Sequence, residues 1–452
     1  MMRNFTKSMF SFSWAMSVFG LQQVTNLVMN QDKATKDFDE VTQAVGGKLG
    51  QTPLSVFLLG DSVQREALAA SFRLLSPAAL SRNNAAVQDL INQSVETVRY
   101  LNPLQDGDLT LQEIRNKITV FRLVLQIPDR LKLPEEPPYP ELTQIIEDAY
   151  DMEDYPALWA VEGVGHWYGS TYYDRGEVPH GILKDDHLNG LPEKSFTMLN
   201  AGIGMAIAQH WIKQVNHLSP VADIRHVLGE ITTLCRDNAT PGFEGAALES
   251  LGLITQNGQF YDDARPDEMV QIVGRELQEI GDQEAFEYFW HGVGRAHYFL
   301  PINFLPGYGS IWHAWEMIRE ATEHDETAWL NAIAGLAWGA TMVNIRHPKI
   351  IANVVKHHGN DLAIDDGFAN GVASSLMMRA DTTPGASFIS EYYEYEPDAS
   401  DADLVENWNS QVRHLSERAL TEGGYYDELK QHNRLGEIFR YHYSFPDFLA
   451  HL

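Results

Sequence analysis

Ionisable residues stand inside apolar, small-residue segments at two places in this chain. In LWAVEGVGHWYG, Glu162 and His166 are four residues apart and share one face if the segment is helical. In YFWHGVGRAHYF, His291 and Arg295 hold the corresponding positions. A carboxylate beside an imidazole is the make-up of a general acid–base pair. A guanidinium with an imidazole suits the orientation of a substrate or the stabilisation of a developing anion. Burying an unpaired charge costs on the order of several kcal/mol, so such groups should find partners inside the fold. The candidate catalytic set is Glu162, His166, His291 and Arg295, with His297 and Glu244 as further lining residues and Glu249 behind them. Two readings stay open: a polar network that braces the fold, or a functional pocket lined by these groups.

Other chemistry finds less support. His313 and Glu316 form an HxxE step, and Glu320 with His324 an ExxxH step, in WHAWEMIREATEH. Helical bundles build di-metal centres from paired Glu-x-x-His motifs. The Glu-x-x-His of this chain is Glu177-Val-Pro-His180, where Pro179 and Gly176 oppose a helix. The charges around His313 read as a solvated face. His180 and His187 lie in a glycine-containing loop. A haem with one axial histidine stays open, because spacing cannot reveal it; the cofactor is therefore unassigned. There is no GxSxG elbow, no GxxxxGK[ST] loop and no GxGxxG after a strand. Cys235, in TTLCRDN, reads as a buried structural thiol.

The elements that must position these groups read as helices. Leu111–Leu125 has helical apolar spacing, as do Ser62–Leu75 and Ala85–Tyr100, and alternating strand-like runs are scarce. LKLPEEPPYPEL is a proline-rich break. Beyond it, short strings recur in order. Glu162-Gly-Val-Gly-His166 returns at His291-Gly-Val-Gly-Arg295, 129 residues on (291 against 162). Asn200-Ala-Gly-Ile-Gly returns at Asn331-Ala-Ile-Ala-Gly, 131 on (331 against 200). Phe243-Glu-Gly-Ala-Ala returns faintly at Ala369-Asn-Gly-Val-Ala, 126 on (369 against 243). We expect an all-α, tandemly duplicated fold with a pseudo-twofold relation. Its parts would be an amphipathic segment 1–50, a helical region 51–133, repeats 140–265 and 266–395, and a C-terminal helical tail 396–452. The glycines in GVG, AGIGMA and AIAGLA each cost a helix about 1 kcal/mol, which marks close helix packing. The acid- and tyrosine-rich ISEYYEYEPDASDADLVENW reads as a solvated loop.

The 452 residues carry 33 basic and 62 acidic side chains, a formal charge of −29, which opposes nucleic acid as a partner. One cysteine rules out an internal disulfide and fits a reducing, cytoplasmic setting. Residues 1–29 show a wide apolar stripe at helical spacing, interrupted by Ser and Gln, so neither export nor a membrane span of about 20 apolar residues is supported. That helix would dock on the fold or touch a lipid or granule surface. Its string SFSWAMSVFGLQQVTNL resembles the N-terminal segment of phasin-like proteins that coat storage granules.

Gly292-Val-Gly-Arg295-Ala-His-Tyr298-Phe299, Glu162-Gly-Val-Gly165 and Asn200-Ala-Gly-Ile-Gly204 resemble motifs of an accessory family encoded in enediyne polyketide gene cassettes. The resemblance covers about residues 140–380. His291 stands where that family's motif has Gln. Residues 1–130 have no counterpart in it. The resemblance implies natural-product biosynthesis, with an apolar small-molecule or acyl ligand held between two helical repeats. It leaves open whether the chain is an enzyme. Glu162 with His166 would then be the acid–base pair, and His291 with Arg295 the anion-stabilising pair. The alternatives are a non-catalytic scaffold bound to lipid, a granule or a large partner, and a metal- or haem-dependent oxidoreductase; a second copy of the chain, as a homo-oligomer, is a further partner left open.

Overall fold

The computed structural model describes residues 107–442, apart from 135, 153, 185–187, 189, 258–264, 301–302, 304–309 and 323–324. The amphipathic segment 1–50 and most of the region 51–133 lie outside the described residues. Every regular element among the described residues is helical, and no strand occurs among them. No helix among them is long and apolar enough to cross a membrane.

The helices are of two kinds. α1 (Gly107–Leu125) and the short α2 (Ile127–Leu131) and α3 (Leu142–Tyr150) lead into α4 (Asp154–Asp174). Then α5 (Phe196–Ile212), α7 (Glu244–Gln256), α9 (Gln283–Phe299), α11 (Glu326–Asn344) and α13 (Gly367–Thr382) are apolar or small around most of their circumference, as buried helices are. Between them come α6 (Val221–Asn238), α8 (Pro266–Ile280), α10 (Ser310–Ala321) and α12 (Pro348–Leu362), most of them with one apolar stripe. α8 shows the pattern: Met269, Val270, Val273 and Leu277 are buried, while Glu268, Gln271 and Arg275 on its far side are not. Pro266 starts it and Gly281, at φ +76°, stops it. α6, α8 and α10 each pack on the two inner helices that flank them in sequence, while α12 packs on α11 and on the first helix, α1.

The inner helices lie side by side in the order α4, α5, α7, α9, α11, α13. Touching positions rise together along each pair: Gly165 meets Leu199 and Gly169 meets Ala206, while Gly367 meets Leu330 and Gly371 meets Ala334. Neighbours therefore run parallel, as an inner–outer–inner alternation requires. The row also curls, because the Tyr155 hydroxyl of α4 donates to the Val343 carbonyl of α11 at 2.9 Å. α9 begins 129 residues after α4 (283 against 154) and α11 begins 130 after α5 (326 against 196). The recurring strings are thus three inner helices apart, and one row carries both stretches 140–265 and 266–395.

α14 (Ser387–Tyr393), α15 (Ala402–Trp408), a π-helical turn at Asn409–Arg413, α16 (His414–Leu420), α17 (Tyr425–Gln431) and a 3₁₀ turn at Leu435–Phe439 complete the described chain. The expectation of a solvated loop over ISEYYEYEPDASDADLVENW is corrected here. Two short helices occupy most of it, and Tyr392 and Trp408 are wholly buried, with ring centroids 6.0 Å apart. Their apolar side chains outweigh the acidic ones, which stay on the outside.

Candidate functional site

α4, α7 and α9 bring one cluster of charge into the interior. Their closeness comes from glycine. A Cβ on Gly252 would stand 1.9 Å from the Phe289 carbonyl oxygen, and one on Gly292 would stand 2.0 Å from that of Glu249. Backbones this near leave Glu249 and Arg295 within direct reach. The Arg295 guanidinium lies between two carboxylates: Nη2 donates to Glu162 Oε1, and Nη1 donates to Glu249 Oε2 at 3.0 Å. The second oxygen of Glu249 stands 3.3 Å from His291 Nδ1. Trp338, from α11, lies beneath the guanidinium at 4.8 Å and meets the His291 ring edge-on. Phe439 closes on His291 from the C-terminal 3₁₀ turn. Glu162, Glu249, His291 and Arg295 are all buried, none more than 3% exposed.

This geometry divides the two carboxylates. Burial pushes the Glu162 carboxyl up; Arg295 opposes the rise and the charge of Glu249 adds to it. Burial also favours protonation of Glu249, but Arg295 and the His291 hydrogen bond outweigh it and hold that carboxyl below its ordinary value. Arg295 thus pairs with both carboxyls, and of the two Glu162 has the higher proton affinity. Unequal environments of this kind are how paired carboxyls take different roles. Burial lowers the His291 imidazole. With Glu249 accepting, Nδ1 carries the proton and Nε2 keeps a free lone pair. Nε2 of His291, Nε of Arg295 and Nε1 of Trp338 are buried without a hydrogen-bond partner among the described residues.

Not all the expected residues join this cluster. Glu162 and His166 share a helix but not a partner: His166 Nε2 meets Gln209 Oε1 of α5 at 2.7 Å, while Glu162 turns to α9. The expected Glu162–His166 pair is thus replaced by Glu162–Arg295, because different helices lie across those two positions. His297 points elsewhere, its Nδ1 donating to the Val293 carbonyl at 2.8 Å. Glu244, first residue of α7, accepts from the Gly242 amide at 2.9 Å and stays on the helix end. Glu249, five residues on, takes the interior place. Trp338 escaped sequence reasoning, as tryptophan in an apolar run gives no signal beyond burial.

His313 and His180 have local partners, while His187 and His324 lie outside the described residues. His313 Nδ1 meets Asn303 Oδ1 at 2.5 Å, and Glu316 pairs with Arg319. His180, exposed and outside any helix, pairs with Asp237 at 2.8 Å. Among the described residues no three His, Cys, Asp or Glu side chains stand together as a metal site. Cys235 is buried in α6, its thiol pushed up to about 12 by burial.

A pH dependence follows. Burial lowers His166, His291 and His297 from the ordinary 6.5. Below that value the unfolded chain takes up protons that the folded one refuses, so stability falls as pH drops. Each such histidine contributes up to about 1.4 kcal/mol per pH unit between its unfolded and folded pKa. Denaturant unfolding at about pH 7.5 and about pH 5.5 should show this loss. It should be smaller in His291→Asn/His297→Asn; an equal loss in both proteins would sink the assignment.

Compared with protein-family models, curated proteins and solved structures, the chain matches none.

Proposed function

We propose that this chain binds an apolar, acyl-type molecule in its helical interior, as an accessory protein or enzyme of polyketide- or polyene-type biosynthesis. The class of ligand follows from the motif resemblance. The polar anchor follows from one observation: His291 Nε2, Arg295 Nε and Trp338 Nε1 are buried and unpartnered around a carboxyl pair of unequal proton affinity. Buried polar atoms of this kind are rare, and each costs about 1–3 kcal/mol unless something meets it. A ligand carbonyl would accept from Arg295 or Trp338, and a ligand hydroxyl would donate to His291. Glu162 would supply a proton, His291 Nε2 would receive one, and Arg295 would hold a developing oxyanion. A purely bracing network accounts for Arg295 between Glu162 and Glu249, yet leaves those three atoms idle.

Native mass spectrometry of the protein from its own source is expected to show a non-covalent acyl or polyene adduct. His291→Phe should lower its occupancy about tenfold, the equivalent of one buried hydrogen bond. A clean apo mass for the wild-type protein would return the cluster to a bracing role.

A further inference from the structure

Among the described residues, Arg379 has no counter-charge. It sits in the last turn of α13 with no exposed surface, and its Nε, Nη1 and Nη2 are all without hydrogen-bond partners there. A guanidinium carries five N–H donors in a planar fork shaped for an oxyanion. Its company is aromatic: Tyr155 at 4.8 Å, Phe388 at 5.7 Å and Trp159 at 5.8 Å. The charge that shares this setting is a second cation, since the Arg346 guanidinium lies over the same Tyr155 ring at 3.9 Å. Asp381, two residues along α13, is engaged by Lys430 at 3.1 Å, Tyr426 at 3.2 Å and Thr197 at 3.2 Å. Burial, with Arg346 adding to it, lowers the Arg379 guanidinium to about 10, while Tyr155 opposes.

We propose that Arg379 and Arg346 form an anion site over Tyr155, taking the carboxylate or phosphate head of a molecule with an apolar body. Two guanidiniums without an acidic partner among the described residues supply the charge, and Tyr155, Trp159 and Phe388 supply the apolar walls. Entry is beside Phe388. That ring is only half-buried, and it stands on the short α14, just after Gly385 at φ +80°. Arg346 on the other flank is exposed, so Arg379 lies one ring beneath the surface.

The site also points inward. Tyr155, Trp159 and Glu162 follow one another at spacings of four and three along α4, on one face. At 1.5 Å per residue, Tyr155 and Glu162 are about 10 Å apart along the helix axis. A head group at Arg379 would set its body along Trp159 toward Glu162 and Arg295. This extension rests on the reading of the interior as a ligand site; the anion site itself does not.

Isothermal titration of the full chain with decanoate, decyl phosphate and inorganic phosphate tests both. Saturable binding of a probe is expected, weakened at least about tenfold in Arg379→Met and less in Arg346→Met. Arg379→Met should melt at or above the wild-type temperature, because an apolar side chain replaces an uncompensated buried charge. Arg379→Lys, which keeps the charge but loses the fork, should bind more weakly and stay folded. Tighter binding of the decyl probes than of inorganic phosphate marks an amphipathic ligand; equal binding marks a free anion in the same site and removes the inward extension. No saturable binding of any probe, or unchanged binding in Arg379→Lys and Arg346→Met, overturns the proposal. In Glu162→Gln, head-group binding should persist. If it does so while the interior cluster shows no adduct, the anion site stands and the acyl reading alone fails.

Discussion

Arg295→Met is expected to destabilise the protein by about 3–5 kcal/mol, the cost of breaking a buried pair from one side. The guanidinium neutralises Glu249 and hydrogen-bonds Glu162, and removing it leaves two carboxyls in an apolar interior. Methionine keeps much of the stem's contact with Trp338, so the loss reports charge more than volume. Adding Glu162→Gln and Glu249→Gln to Arg295→Met should recover at least about half of the loss, since the carboxyls then have no charge to strand. The deficit has a pH signature. Without Arg295 both carboxyls titrate above their unfolded values, so the penalty is largest at neutral pH. It shrinks as pH falls through the folded pKa values toward the unfolded value of about 4.3. Guanidinium unfolding followed by circular dichroism measures all of this. A cost below about 1 kcal/mol would mean that water, not protein, holds these carboxylates.

Gly294→Ala should be nearly as damaging, through a different cause. A Cβ there would stand 1.8 Å from the Ala332 carbonyl oxygen and 2.6 Å from its carbon. These are backbone atoms of α11, so no rotamer change relieves the clash; α9 and α11 must separate. We expect a loss of at least about 3 kcal/mol, at the upper end of overpacking costs. Separation would also lift Trp338 from Arg295. Gly229→Ala is the control. It lies in α6, with nothing within 4 Å of the point where a methyl would stand and an ordinary helical backbone. There alanine should stabilise by about 0.5–1 kcal/mol. Thermal melts of the two variants should move in opposite directions. Equal melts would mean that the inner helices are not held backbone to backbone.

Much of this is legible in residue order. Small-residue runs around Glu162, Gly202, Gly292 and Gly335 announce helices that approach closely, and Gly202, Gly292 and Gly335 have no room for a Cβ. A charged residue in such a run stands out, which singles out Glu162, His291 and Arg295 and keeps Glu249 in view. Arg379 in SSLMMRAD carries the same signal more faintly, because a lone cation has no pattern around it. The offsets near 129 are also in the letters. That they span three inner helices required the order of packing.

Partners were decided in three dimensions. Glu162 and His166 have the right spacing for a pair, yet one meets Arg295 on α9 and the other Gln209 on α5. Glu244 and Glu249 both belong to α7, but only the second lies where α9 crosses. The acidic, tyrosine-rich stretch after Ile389 has the composition of a loop, and it is the meeting of Tyr392 with Trp408 that folds it into helices. The sequence by itself determined that the chain is helical, which faces are small enough to touch, and which charges must be buried with them. Only the tertiary structure decided which helix lies opposite each charge, because helical periodicity places residues on a common face and carries no information about what stands across from it.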